Sequence, residues 1–445
     1  MSSNKNELNL NEFVSLCKRR GFIYQSGEIY GGVGSTWDYG PMGAELKRNI
    51  KNLWWDTFVL KRNDIVGIDT SILTHQDIWK ASGHIENFND PLVECKGCNK
   101  RWDQEKIQSE TCPECSGELT EPRNFNLMFK TFLGPIESDK NIAYLRPETA
   151  QGIFVNFDNV LNSTRKKLPF GIAQIGKAFR NEITTGNFIF RTREFEMMEI
   201  EFFVHPEEAK KWHEYWISTC FDWLTSLGVK EEKLKIRAHE PTELSHYSDG
   251  TSDIEYLFPW GWGEIQGIAN RTDFDLKAHS ESSGKKLTYF DDSLQKHITP
   301  FVIEPSAGLD RAVMTFMTNA FEEEEIDMGN GKIETRSVLR LNPKLAPVKV
   351  AILPLSRKDE LSGFSKKVYD TILNSPIISG LIQYDDTQSI GRRYRRQDEI
   401  GTPFCVTIDF ESLNDNSVTV RDRDSMKQER IEITNVVEYL GNHLN

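Results

Sequence analysis

Four cysteines are the first residues whose types and spacing imply chemistry. Cys95-Lys-Gly-Cys98 and Cys112-Pro-Glu-Cys115 are separated by thirteen residues. Each short knuckle supplies two thiolates, and two knuckles place four sulfurs tetrahedrally around one Zn²⁺. Gly97 and Pro113 suit the tight turns, whereas a redox CxxC reading leaves the second pair unexplained. Four thiolates close the coordination sphere, so the zinc expected here is structural rather than catalytic. The total of seven cysteines argues against a fully paired disulfide scheme. Cys17, Cys220 and Cys405 read as ordinary core residues.

A second constellation spans two expected strands. The first ends in Phe179-Arg180-Asn181-Glu182; a loop over Ile183 to Ile189 leads to the second, Phe190 to Val204. Alternation along a strand puts Arg180 and Glu182 on one face. It also puts Arg191, Arg193, Phe195, Met197 and Glu199 on one face of the second strand. Such a surface offers arginines for phosphates, an aromatic ring for a base and carboxylates for amines. Taken alone, a salt-bridged hairpin is the competing reading, although Phe195 and Met197 fit a wholly solvated face poorly. A third element follows the apolar strand Phe301 to Glu304, where Pro305-Ser306-Ala307-Gly308 reads as a small-residue turn. A helix then begins, with Leu309, Val313, Phe316, Met317 and Ala320 on one side. Arg311 falls in its first turn, where a cation gains nothing from the helix dipole. An anionic partner explains it, with a nearby carboxylate as the alternative.

Other elements must position these groups. Gly43 to Phe58 has helical spacing, with Leu46, Ile50, Leu53 and Trp54 on one face. A helix after His205 starts with Pro206, carries Trp212, Tyr215, Trp216, Trp223 and Leu224 as an apolar core stripe, and stops at Gly228. Strands otherwise succeed one another with few helices between, which predicts an antiparallel sheet. Two prolines in LNPKLAP mark a break near residues 340–347. Beyond it, VKVAILPL, a helix over Glu360 to Leu373, LIQYDD, PFCVTIDF and NSVTVRDR predict a small α/β domain.

The 445-residue chain has room for two or three domains, and its 27% charged and 38% hydrophobic residues suit a globular protein. No apolar run is long enough to cross a bilayer, and MSSNKNELNLNEF lacks the pattern of a signal peptide, so a cytoplasmic location without membrane association is expected. A net charge of −13 excludes indiscriminate coating of nucleic acid but not a specific partner. Arg392-Arg393-Tyr394-Arg395-Arg396 reads as a solvated basic face. There is no GxxxxGK[ST] loop, and Gly31-Gly32-Val33-Gly34 lacks the context of a dinucleotide fingerprint. Any ATP must therefore be held by side chains.

The three elements, in this order, resemble class II aminoacyl-tRNA synthetases. AFRNE, its loop and the Arg-Glu-Phe strand match that class's second signature motif, GLDR with its helix the third, and the helix after Trp37-Asp38-Tyr39-Gly40-Pro41 the dimer-forming first. YGGVGSTWDYGPMGAELKRN, LRPETAQGIF, REFEMMEIEFF, GWGEIQGIANRTDFDL and EPSAGLDR are similar to glycyl-tRNA synthetases of the homodimeric type, over nearly the whole chain. The resemblance implies an α+β fold. A catalytic domain over residues 1–345 has an antiparallel sheet flanked by helices and a zinc-ribbon-like insertion near 90–122. An anticodon-binding α/β domain follows over 346–445.

The resemblance also implies the chemistry. Glycine is activated by ATP to glycyl-adenylate with release of pyrophosphate, then passed to the 3′-terminal ribose of its tRNA. Arg180 would hold the α-phosphate, Arg191 and Arg311 the outer phosphates, Phe195 the adenine ring, and Glu182 the adenine end. Glu264 stands where a Mg²⁺-linked carboxylate is expected. Glu148, Glu199, Arg271, Glu304 and Ser306 would surround glycine. Because glycine has no side chain to grip, the site must exclude anything larger, and glutamates both hold the ammonium and fill that space. Other class II specificities, such as proline or threonine, are the nearest alternative. A synthetase-like binding protein without catalysis would lack the arginines. A zinc-ribbon nucleic-acid binder would leave most of the chain unexplained.

Overall fold

The computed structural model describes residues 9–104, 107, 109–183, 186–245, 248–327 and 333–444. The expected loop after Glu182 thus falls partly, at 184–185, outside the described residues, as do the first eight residues of the chain. One seven-stranded sheet carries most of the chemistry-bearing positions. Its strands are β1 (Ile65–Gly67), β2 (Phe170–Phe179), β3 (Glu194–Val204), β4 (Leu234–Ala238), β5 (Gly250–Phe258), β6 (Gly261–Thr272) and β7 (Phe301–Gly308). They lie in the order β4-β5-β6-β7-β3-β2-β1, antiparallel throughout except where β1 joins β2 in parallel. The antiparallel sheet expected from the succession of strands is therefore present.

Helices α1 (Leu10–Arg19), α2 (Pro41–Trp55), α3 (Ala209–Ser226) and α5 (Leu309–Ala320) close one face of this sheet, and α4 (Phe274–Ser283) packs through Leu276 against Phe203 and Val302 on the other. Pro41 occupies the first turn of α2, where its missing N–H is no loss. Leu46, Ile50 and Trp54 of α2 are buried, and Phe58, in the wider turn that continues the helix, packs against Trp216 and Trp223 of α3. Trp223 in turn meets Phe316 of α5. Tyr215 lies at the rim of that stripe and is exposed. Gly43 is required where α2 crosses the chain at Phe22: a Cβ there would sit 2.0 Å from the Phe22 carbonyl oxygen.

A separate three-stranded sheet, from Asn89–Glu94, Arg101–Asp103 and Arg123–Asn126, carries the cysteine knuckles. After the link comes a mixed five-stranded sheet of β8 (Val348–Pro354), β9 (Leu381–Tyr384), β10 (Phe404–Ile408), β11 (Ser417–Asp422) and β12 (Gln428–Glu432), ordered β9-β8-β10-β11-β12. Strand β8 is buried along its whole length and parallel to both neighbours, which explains its unbroken apolar run. Val350, Ile352, Val406, Ile408 and Val420 form a second core with Leu361, Val368, Val436 and Leu440 from helices α6 (Asp359–Leu373) and α8 (Ile433–Leu444).

The arginine run lies on α7 (Ile390–Ile400) and is not a solvated face. Arg393 is buried and donates to the Pro354 and Asp385 carbonyls; Arg396 pairs with Asp385 and Arg395 with Glu334. Of the four, Arg392 alone stays in solvent without such a partner among the described residues. Helical spacing spreads consecutive arginines around the axis, so each meets a different neighbour. On the same helix Asp398 accepts from Arg336 at 2.8 Å and from Arg421 at 2.8 and 3.1 Å, all three being buried. Arg336 comes from the hairpin strand Ile333–Leu339, so this network ties the C-terminal sheet to the rest of the molecule.

Candidate active site

A cavity of about 170 Å³ opens beside the ends of β2, β3, β6 and β7. Arg180, Glu182, Phe190, Arg191, Phe195, Met197, Glu264, Ser306 and Arg311 are among its lining residues. The cavity thus gathers residues from the second and third signature segments. The local geometry differs from the alternation predicted by the sequence. Strand β2 ends at Phe179, paired with Glu194, and β3 begins at Glu194 rather than Phe190. Beyond that pair one cross-link remains, from the Arg180 N–H to the Arg193 carbonyl, and the other groups are bonded elsewhere: the Asn181 N–H donates to the Leu127 carbonyl and the Arg193 N–H to the Ser35 carbonyl. Arg191 and Arg193 are therefore not strand residues. Arg193 leaves the face expected for it and donates to the Gly34 and Glu182 carbonyls.

Nor is there a turn at Pro305–Gly308. Strand β7 continues to Gly308, with Ser306 opposite Glu199 on one side and Gly267 on the other. The small residues suit a strand flanked on both sides, and the helix α5 follows at once with Gly308 as its N-cap.

The cations are used differently. The Arg180 Nε donates to the Pro147 carbonyl at 3.1 Å, and its guanidinium lies over the Phe195 and Phe88 rings at 5.4 and 5.3 Å. Among the described residues no carboxylate pairs with it, so it faces the cavity as a cation wanting an anion. Arg311 lies 4.5 Å over the Phe190 ring, donates to the Glu264 carbonyl and sits 3.2 Å from the Glu264 carboxylate. Arg191 makes two bonds, of 2.6 and 2.8 Å, to one oxygen of Glu182. For this pair the salt-bridged reading describes what is seen. Beneath, Asp310 accepts from the Glu196 N–H, Tyr39 and Lys47. Lys47 also reaches Glu196, so α2 braces the start of α5 against β3.

Ser306 joins this cavity to a pocket of carboxylates. Its hydroxyl donates to Glu199 at 2.7 Å, and the Thr149 N–H donates to the other Glu199 oxygen. Glu148 lies in the same turn as Thr149; it accepts from Gln151 and lies 3.3 Å from His84 Nε2. Burial pushes the Glu148 carboxyl up, but His84, Arg271 and the bond from Gln151 together outweigh it and hold the group well below the usual range. Glu304 accepts from Arg271 at 2.9 Å. Its burial, with Glu199 and Glu148 nearby, overcomes Arg271 and pushes it up to about 8. Arg271 is only 1% exposed and is also held by two bonds to Asp275. It stands behind Glu304 as that carboxyl's support. All five positions expected around glycine are thus brought together.

An anticodon binding domain model matches residues 349–443, the region of β8–β12. The glycine–tRNA ligase of Mycolicibacterium vanbaalenii is 52% identical, covering 96% of this chain and 96% of its own. Those of Mycolicibacterium paratuberculosis and Clostridium perfringens are 53% and 50% identical, each covering 97% of this chain and 97% of their own. This chain belongs to the glycine–tRNA ligase family. It is an aminoacyl-tRNA ligase, and its mixed fold with a four-cysteine cluster and a C-terminal anticodon-binding region is that of the class II synthetases.

Within this family member the cysteine cluster has the geometry of a metal centre. The four sulfurs of Cys95, Cys98, Cys112 and Cys115 all lie within 4.8 Å of one another, with the closest pairs at 3.4 and 3.7 Å. Zn–S bonds of about 2.3 Å in a tetrahedron require sulfurs roughly 3.8 Å apart. The Gly97 and Cys98 N–H groups point at the Cys95 sulfur, as a thiolate requires. Donor set and spacing therefore fit a closed structural site.

Sequence reasoning missed His84, Phe88, Thr149 and Glu201. His84 and Phe88 precede the cysteine insertion by sequence and carried no motif. Glu201 had a signal, since it repeats Glu199 at the two-residue period of the same strand, but an isolated carboxylate at a core position reads as a surface residue until the sheet is assembled.

Proposed function

We propose that this chain joins glycine to its tRNA in two steps, with the cavity holding ATP and the carboxylate pocket holding glycine. The observation that carries this is Arg180: a guanidinium with no carboxylate partner among the described residues, stacked on Phe195 in the cavity that Ser306 also lines. A phosphate ester beside an ammonium acid is the ligand pair that satisfies both regions.

In the first step the glycine carboxylate attacks the α-phosphorus, and pyrophosphate leaves. No side-chain nucleophile is needed; positioning and charge neutralisation supply the acceleration. Arg180 meets the charge developing on the α-phosphate. Arg311 and Arg191 take the outer phosphates, Arg191 keeping its bond to Glu182 as a fixed orientation. Phe195 stacks on adenine and Glu182 receives its amino edge. Glu264, 3.2 Å from Arg311, would be the carboxylate linked to Mg²⁺, which would offset the charge of the outer phosphates. Mg²⁺ with one or two carboxylates and the phosphates is the usual arrangement. Glu148, Glu199 and Glu304 hold the ammonium, Ser306 fixes Glu199, and Arg271 fixes Glu304. The same side chains occupy the volume a larger amino acid would need.

The finer assignments belong to this reading as well. Cys95, Cys98, Cys112 and Cys115 hold one Zn²⁺ that organises the insertion. Residues 1–345 form the catalytic unit and 346–445 the anticodon reader. The chain works in the cytoplasm as a homodimer, with α2 near the interface; Ile29 and Tyr30, which precede α2 in sequence, are exposed apolar groups that such an interface would cover. The deciding test is ATP–pyrophosphate exchange by the purified protein with glycine, alanine, proline and threonine in turn. Exchange that depends on glycine alone supports the assignment, and exchange with another of these acids overturns it.

A further inference from the structure

Glu201 lies beneath the glycine pocket, and neither step just described uses it. It is 0% exposed, and neither carboxyl oxygen has a hydrogen-bond partner among the described residues. Its place follows from the sheet. The register that sets Glu199 opposite Ser306 and Phe202 opposite Ile303 puts Glu201 opposite Glu304. Glu199 and Glu201 share a face of β3, two residues apart.

The charge around this pair is fixed by its neighbours. Arg271 from β6 supplies the cation; Glu199 from β3, Asp275 from α4 and Glu148, 3.3 Å from the His84 ring, supply carboxylates beside Glu201 and Glu304. An ionised carboxylate buried without a partner is costly, whereas the neutral acid is tolerated far better. Burial and the Glu304 charge push Glu201 well above the usual carboxylate range. Two facing acids in a dry site do not both ionise.

We propose that Glu201 is a positioning residue that works as a neutral acid, donating its O–H to the Glu304 carboxylate once glycine is bound. Before glycine arrives, Glu304 also carries a proton. The incoming ammonium brings one positive charge; Glu304 loses its proton to solvent and becomes the carboxylate that pairs with the ammonium, while Glu201 keeps its own. One proton is released for each glycine bound, and no other bond changes. This rests on the assignment of the pocket to glycine. The sign is definite. Release occurs where Glu304 is protonated in the free protein, below about pH 8, and stops above it. The KM for glycine therefore falls as pH rises toward 8 and then levels.

The test is calorimetric titration of the purified protein with glycine at pH 7, in two buffers of different ionisation enthalpy, alongside pH profiles of glycine-dependent pyrophosphate exchange. Close to one proton released is expected. Glu201→Gln keeps volume and a donor, so near-normal KM and pH profile are expected. Glu201→Met keeps volume without the donor and should raise the glycine KM about tenfold and move its inflection to higher pH. Glycine binding with no proton release overturns the proposal, as does a Glu201→Gln variant as impaired as Glu201→Met. Absence of any glycine binding or exchange in the unmodified protein instead overturns the assignment of the pocket itself.

Discussion

Replacing Arg180 with alanine separates catalysis from folding. Its outer guanidinium nitrogens have no carboxylate partner among the described residues, so their charge is free for the α-phosphate. Removing a donor aimed at transition-state charge typically costs about 2.7–4 kcal/mol, or a factor of 10²–10³ in rate. The structural losses are smaller: one bond to the Pro147 carbonyl and two ring contacts. At about 1 kcal/mol for the bond and 0.5–1 for each ring, they sum to roughly 2–3 kcal/mol, a lowering of Tm by several degrees. Arg180→Lys should fall between, since it keeps the charge but loses the planar fork. Glycine-dependent pyrophosphate exchange measures the first effect and thermal unfolding the second. An Arg180→Ala protein exchanging within tenfold of the unmodified one would remove Arg180 from the reaction. Equal loss in a fully unfolded variant would be recognised by its missing transition.

Glu304→Gln should raise Tm near pH 8 while weakening glycine use. The folded value of about 8 lies above the unfolded value of about 4.3, so the carboxyl costs stability progressively between those limits; the gain from glutamine, about a few kcal/mol at most, should vanish by pH 4. Cys112→Ser should lower bound zinc from about one per chain and expose residues 89–126 to proteolysis, with metal analysis and peptide mapping as readouts. Exchange should fall less than in Arg180→Ala, because Phe88 and His84, which touch the site, lie just before the insertion rather than in it. Asp398→Asn leaves Arg336 and Arg421 without their buried counter-charge, a loss of about 3–5 kcal/mol. Thermal unfolding should show it, and aminoacylation of tRNA should fall more than glycine activation.

Much of this protein was legible in the order of its residues. The cysteine spacing specified a four-sulfur centre, because a tetrahedron needs two short turns and little else. Apolar periodicity gave α2, α3 and α5, since a helix face must be continuous to be buried. The resemblance of the signature segments to class II synthetases implied that Arg180, Phe195 and Arg311 share an ATP site and that the glutamates surround glycine, and the fold gathers each group. Tertiary structure decided what each charge does. Strand alternation grouped Arg191 and Arg193 with Phe195, yet backbone bonds to Leu127 and Ser35 end the strand early and turn Arg193 away. The arginine run was local in sequence but met a different partner at each helical position. Arg191 was expected to face phosphate and is found bonded to Glu182. Glu201 is the clearest case: its two-residue offset from Glu199 was visible, but its isolation depends on strand β7 arriving with Glu304 opposite it. Local spacing fixes which residues share a face, whereas burial and partners are properties of the elements that pack against that face.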